Sequence, residues 1–215
     1  MAISYNDITL HMELGAGYSV ELNRSIPATI WIDFLSKNLT EINDDLIPSS
    51  ITNLWDYLFE GNTNLATVSL NNVTEIGSYT FNGCGIETLN MPSLVTAGSR
   101  SFGANPLTEV YLPALEYVDS QMFYNCDLLQ KAEFDSIYRI GLLAFYGCTN
   151  LDTLVLRNDV SIVELASAEC LEGTKIESGE GYIYVPSNFL REYRGYGAWS
   201  NFVSQLRAVE ELEVD

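Results

Sequence analysis

Five phenylalanines, at 59, 81, 102, 123 and 145, recur at a near-constant interval, and each opens the same run of apolar positions. After Phe59 come Leu65, Val68, Leu70, Val73 and Ile76; after Phe81 come Ile86, Leu89, Met91, Leu94 and Ala97. The run returns as Leu107, Val110, Leu112, Leu115 and Val118, then as Leu129, Ala132, Phe134, Ile137 and Ile140, and begins again at Leu151, Leu154 and Leu156. One such unit presents an apolar wall that it cannot bury alone. The units must therefore stack into a one-dimensional core, which needs roughly three or more repeats to hold. The chain reads as a stacked repeat array, and function in such a rod usually means binding.

Four cysteines bear on the same register. Cys84, Cys126 and Cys148 each lie at the third position after a repeat phenylalanine, so they are expected at equivalent, inward places, as a column of buried free thiols. A bridge between Cys126 and Cys148 is the other reading, because neighbouring strands run ~4.8 Å apart, within reach of a disulfide if the side chains converge. The redox compartment stays open between these readings.

The chain has 29 acidic and 10 basic residues among its 215, a net charge of −19. That charge repels phosphate backbones and anionic lipid headgroups, which argues against nucleic-acid and membrane-surface partners. The excess is spread along the sequence and reads as a solubilising shell. The first residues, MAISYNDITLHMELGAG, lack the basic and apolar regions of a secretory signal, so none is expected there. No apolar run approaches the ~20 residues needed to span a bilayer.

Three regions emerge. Residues 1–38 stand outside the repeat; IPATIWIDFL reads as strand and Gly15-Ala16-Gly17 as a turn, giving an N-terminal cap or docking segment. Residues 39–181 form the array, about six coils, beginning before Phe59 because Ile51 and Leu54 keep the offsets at which Val73 and Ile76 precede Phe81. Leu171, Gly173 and Ile176 open a last coil, reached 26 residues after Phe145, so four or five extra residues should bulge near Asn158 to Ile162. Within a coil the apolar stretch alternates, which suits a short strand in a stacked parallel sheet. Gly77, Gly98 and Gly141, with Asp119 in one coil, are expected in left-handed turns. The segment from phenylalanine to cysteine is expected to return the chain as a helical turn. Residues 182–215 form a C-terminal cap: strand at Ile183 to Val185, a helix capped by Ser187 or Asn188 and running through Tyr193, and a second helical piece from Trp199 to Leu206 with Trp199, Phe202, Val203 and Leu206 on one face.

The repeat form, a phenylalanine followed at the third position by cysteine, then the leucine run and a closing valine or isoleucine before glycine, resembles the BspA-like leucine-rich repeats of bacterial surface proteins. The match covers roughly residues 39 to 210. GYIYVP followed by Tyr193 and Trp199 resembles that family's closing cap. The resemblance implies a leucine-rich-repeat solenoid of stacked parallel β-strands joined by short turns or helical turns, with an irregular N-terminal cap and an α/β C-terminal cap. It implies adhesion or recognition of host, microbial or matrix surfaces, an extracellular or cell-surface location, no cofactor and no catalytic residues. Family members often carry an export signal and many more repeats, which leaves a bacteriophage virion component, docked by residues 1–38, as the alternative.

The residues agree with a non-enzymatic reading. A serine or cysteine nucleophile needs a base, and the one histidine, His11, lies outside the array. Gly15-Ala16-Gly17 lacks the third glycine and following helix of a dinucleotide loop. The cysteines lack the paired spacing and histidine partners of a zinc site, and Asp44-Asp45 lacks the alternating ligands of a calcium loop. The largest regular surface is the strip of outward strand positions: Thr67 and Ser69, Thr88 and Asn90, Glu109 and Tyr111, Lys131 and Glu133, Thr153 and Val155. This strip is the candidate ligand face, with Tyr111 as its aromatic anchor; a merely solvated sheet face is its alternative. The partner expected is a protein or glycan surface.

Overall fold

A computed structural model describes residues 39–47 and 49–212 in full, together with the backbone of 11–14 and 18–21. The rest of the N-terminal segment, including the Gly15-Ala16-Gly17 turn and the IPATIWIDFL stretch, lies outside the described residues. Strands β1 (His11–Leu14) and β2 (Tyr18–Glu21) pair antiparallel, with Leu14 opposite Tyr18.

From residue 41 each coil supplies one longer strand and one very short one. They are β3 (Glu41–Asn43) and β4 (Asn53–Leu54), β5 (Thr67–Ser69) and β6 (Glu75–Ile76), β7 (Thr88–Asn90) and β8 (Thr96–Ala97). The series continues as β9 (Glu109–Tyr111) and β10 (Tyr117–Val118), β11 (Lys131–Phe134) and β12 (Arg139–Ile140), β13 (Thr153–Leu156) and β14 (Glu164–Leu165). Equivalent strands pair parallel, Val68 beside Leu89 and Ala132 beside Leu154, so a repeat position in the sequence becomes a column in space. The principal sheet is split into a three-stranded section, β3-β5-β7, and a five-stranded section that begins at β9.

Inside this frame the phenylalanines form one stack. Ring centroids are 5.2 Å apart for Phe59 and Phe81, 5.8 Å for Phe81 and Phe102, 5.8 Å for Phe102 and Phe123, and 5.4 Å for Phe123 and Phe145. Phe81, Phe102, Phe123 and Phe145 have no exposed surface.

The turn edge is built by backbone, and here the expectation for glycine is corrected. Gly77, Gly98 and Gly141 do not have positive φ; instead a Cβ at these places would come within 2.5 Å of the Asp56 nitrogen, 2.6 Å of the Ser78 nitrogen and 2.8 Å of the Ser120 nitrogen. They are small because the preceding coil passes against them. Left-handed geometry falls at the second position on either side of each phenylalanine: Tyr57, Tyr79, Arg100, Gln121 and Leu143 before it, and Gly61, Gly83, Ala104, Asn125 and Gly147 after it. A non-glycine residue there costs about 1–2 kcal/mol. The compensation is a repeated set of bonds, since Tyr57, Phe59 and Gly61 all donate to the next coil, at Ser78 (2.9 Å), Thr80 (2.8 Å) and Asn82 (2.8 Å). The return segment is thus a pair of reverse turns in the first five coils; helical turns occur in the last, at Ala168–Leu171 and in α1 (Lys175–Ser178).

The three repeat cysteines form no disulfide and are buried. Each thiol donates to the phenylalanine carbonyl of the preceding coil, Cys84 to Phe59 at 2.9 Å, Cys126 to Phe102 at 3.2 Å and Cys148 to Phe123 at 3.0 Å. The thiol column therefore stands and the bridge does not. Burial pushes the Cys126 thiol up to about 12.

Near the end the step between short strands lengthens. Val118 pairs with Ile140 at a step of 22 residues, whereas Ile140 pairs in turn with Leu165 at a step of 25. This places three extra residues between Leu156 and Glu164, in the expected place but fewer than the four or five expected. Val160 in this insertion is 85% exposed. Beyond it, β15 (Tyr182–Val185) joins the five-stranded section, followed by α2 (Leu190–Tyr193), a 3₁₀ turn at Gly197–Phe202 and β16 (Leu206–Ala208). Three expectations are corrected. The residue preceding α2 is Phe189 and no side chain caps it, because Ser187 bonds to Glu210 instead. Leu206 belongs to a strand, since Ile183 to Val185 offers it a parallel edge to pair with. Val203 is exposed, while Trp199, Phe202 and Leu206 are buried.

Candidate ligand-binding face

Pairing in the principal sheet sorts the outward residues into two rows. Thr67 lies beside Thr88, and Glu109, Lys131, Thr153 and Tyr182 follow one another across the five-stranded section. In the other row Ser69 lies beside Asn90, and Tyr111, Glu133, Val155, Tyr184 and Arg207 follow one another. Alternation along each strand holds these side chains on one face while Val68, Val110, Ala132, Leu154 and Ile183 are buried beneath.

The two sections of the strip differ. The first is small and polar, and within it the Asn90 amide donates to the Ser69 hydroxyl at 3.1 Å. The second is aromatic and charged. Glu133 is gripped from both sides, by the Lys131 ammonium at 2.7 Å and the Arg157 guanidinium at 2.6 Å. Burial pushes its carboxyl up, but those two hydrogen bonds and charges outweigh it and hold the group below its ordinary range. Tyr111 donates its hydroxyl to Asp135 Oδ2 at 2.7 Å, and this bond, with desolvation and the Asp135 charge, raises the phenol pKa. Arg207 lies over the Tyr182 ring at 4.4 Å, and Tyr184 meets that ring edge-on at 6.4 Å.

Of the ten residues expected on this face, nine reach it with some exposure. Val155 does not, being 0% exposed under its neighbours. It stands in register between Glu133 and Tyr184 and is shorter than either. Reasoning from one strand at a time missed Asp135, Arg157, Tyr182, Tyr184 and Arg207. For Tyr182 and Tyr184 the available signal was the YIYV alternation after Gly181, which continues the strand pattern into the cap.

A second ordered aromatic series runs along the turn edge. Tyr57 stacks on Tyr79 at 5.0 Å, Arg100 stands 5.9 Å from Tyr79 and 4.3 Å from Tyr124, and Tyr124 stacks on Tyr146 at 5.2 Å. Among the described residues no group of three or more His, Cys, Asp and Glu side chains is placed to hold a metal ion, and no helix is long and apolar enough to cross a membrane.

Parallel strands, stacked phenylalanines and coil-to-coil turn bonds define a leucine-rich-repeat solenoid. The profile of the BspA type leucine rich repeat region, in six copies, matches residues 32–152 and 94–191, and the chain belongs to that family. Among solved structures it is similar to a leucine-rich repeat protein from Bacteroides ovatus ATCC 8483, at 16% identity over 79% of this chain and 66% of that one, with a TM-score of 0.32. It is also similar to the pneumococcal vaccine antigen PcpA, at 13% identity over 80% of this chain and 66% of that one, with a TM-score of 0.26. The chain thus spans just under two thirds of the length of each. A comparison with curated protein sequences finds no match.

Proposed function

We propose that this protein is a non-enzymatic recognition module displayed on an exterior surface, binding a protein or glycan through the outward face of its principal sheet. The observation that carries this reading is the organisation of the strip: Tyr111, Lys131, Glu133, Arg157 and Arg207 are each tied to a neighbour on the same face. Side chains held in place before a ligand arrives lose less conformational entropy when it binds. Family membership supports the non-enzymatic part, since such arrays present area rather than a reactive cleft. The test is a combined protein and glycan array probed with the full chain and with Tyr111→Ser. A ligand whose binding is weakened by that substitution supports the reading. A ligand held equally by both proteins removes the sheet face from consideration.

A further inference from the structure

The molecule carries two ordered tyrosine series, and they differ in what they leave open. On the turn edge Tyr57 stacks on Tyr79 and Tyr124 on Tyr146, with Arg100 against Tyr79 and Tyr124, so each of these rings has at least one face covered. Tyr182 on the sheet face is covered on one side by Arg207. Tyr111 is different: it is 53% exposed, and among the described residues no ring or cation lies over it. Its ring is nevertheless held, because the hydroxyl is fastened to Asp135. It also stands on β9, the edge strand of its section, where no ladder pairing continues to Asn90. A fixed aromatic ring with open faces is a platform for stacking.

What lies around that ring narrows the ligand. Asp135 Oδ2, at the surface, uses one acceptor position for Tyr111 and keeps a second lone pair for a ligand hydroxyl, while Oδ1 is buried with no donor among the described residues. Glu133, Arg157 and Lys131 follow, a set of acceptors and donors already paired. The row continues to Tyr184, three strands on and roughly 14 Å away at the usual strand spacing. Three acidic residues (Glu109, Glu133, Asp135) and three basic ones (Lys131, Arg157, Arg207) balance in this patch, on a chain whose net charge is −19. An anionic ligand would meet the repulsion of the whole molecule. A flat protein interface would bury the Lys131–Glu133–Arg157 network at its centre, where interfaces are depleted of charge because desolvation is costly. A neutral sugar chain avoids both costs: its apolar ring face stacks on tyrosine while its hydroxyls bond to the carboxylates and guanidinium at a wet edge.

Resting on the sheet-face reading above, we infer that the ligand is a neutral oligosaccharide, with one pyranose ring seated on Tyr111 and a hydroxyl directed to Asp135, the chain running across Glu133 and Arg157 toward Tyr184. The test titrates the full chain with cello-, chito-, xylo- and mannohexaose by calorimetry, beside a neutral glycan array. Comparison is made with Tyr111→Ala, Asp135→Asn and the control Tyr138→Ala, which removes a tyrosine of similar exposure (50%) outside the strip. The expected result is saturable binding of a neutral glycan, weakened by at least about tenfold in Tyr111→Ala and in Asp135→Asn and unchanged in the control, with all variants melting like the parent. Absence of binding to every neutral glycan at millimolar concentration overturns the inference. If a protein ligand is instead found whose affinity falls in Tyr111→Ala, the glycan class fails while the sheet-face reading stands. Glycan binding indifferent to both strip substitutions overturns the placement.

Discussion

The indole N–H of Trp199 donates to the Val163 carbonyl at 2.7 Å, and this bond fastens the C-terminal cap to the lengthened turn between Leu156 and Glu164. The N–H of the same Val163 donates to the Tyr193 hydroxyl at 2.9 Å, so both backbone groups of a fully buried residue are satisfied by cap side chains. Trp199 and Tyr193 also meet edge to face at 5.5 Å. Tyr193→Phe should cost about 1–3 kcal/mol, the penalty of leaving a buried donor unpaired. Trp199→Phe should cost at least as much, since it also loses volume. Denaturant midpoints of the two variants check this; losses within ~0.5 kcal/mol would place them among ordinary surface changes.

Phe123 is stacked between Phe102 and Phe145 with no exposed surface. Phe123→Ala should destabilise the chain by about 3–5 kcal/mol, because neighbouring coils are pinned by turn bonds and cannot collapse into the cavity. Urea unfolding measures it, and a loss below about 1 kcal/mol would contradict the buried column.

Asn62 and Asn105 occupy the place that cysteine holds in other coils, with opposite consequences. The Asn105 amide donates to the Phe81 and Phe102 carbonyls at 2.8 and 2.9 Å and accepts from the Ile86 N–H at 3.2 Å. Among the described residues, neither polar atom of the buried Asn62 side chain has a hydrogen-bond partner. Asn105→Cys should therefore destabilise by about 1–3 kcal/mol, while Asn62→Cys should be neutral or stabilising. Paired thermal melts read the difference in sign, and equal losses would refute it.

Burial raises the Cys126 thiol from 9.0 to about 12 and the Tyr193 hydroxyl from 10.0 to about 12. Both groups ionise more readily when unfolded, so the stability they contribute is complete below about pH 9 and is lost as pH rises toward about 12. Cys126→Ser retains a donor for the Phe102 carbonyl without an ionisation in this range. The variant should lose less stability than the parent between about pH 8 and about pH 11 in guanidinium titrations. Parallel losses would exclude Cys126 as a source.

Much of this architecture was legible in one dimension. A near-constant period assigns Phe59 through Phe145 to one column and the thiols to another, because like coils stack in register. Alternation along a strand likewise assigns Thr67 or Lys131 outward and Val68 or Ala132 inward, since successive side chains point to opposite faces. What remained hidden depends on the neighbour rather than the coil. Gly77 is small because the backbone around Asp56 passes beside it, and Tyr57 takes a left-handed conformation because Ser78 waits in the next coil. Leu206 is strand because β15 offers it an edge, and Val155, in register between Glu133 and Tyr184, is buried although its row faces outward. Repetition in a sequence determines which residues share a column; only tertiary contact decides which members of that column stay open, since exposure belongs to the surroundings and not to the side chain.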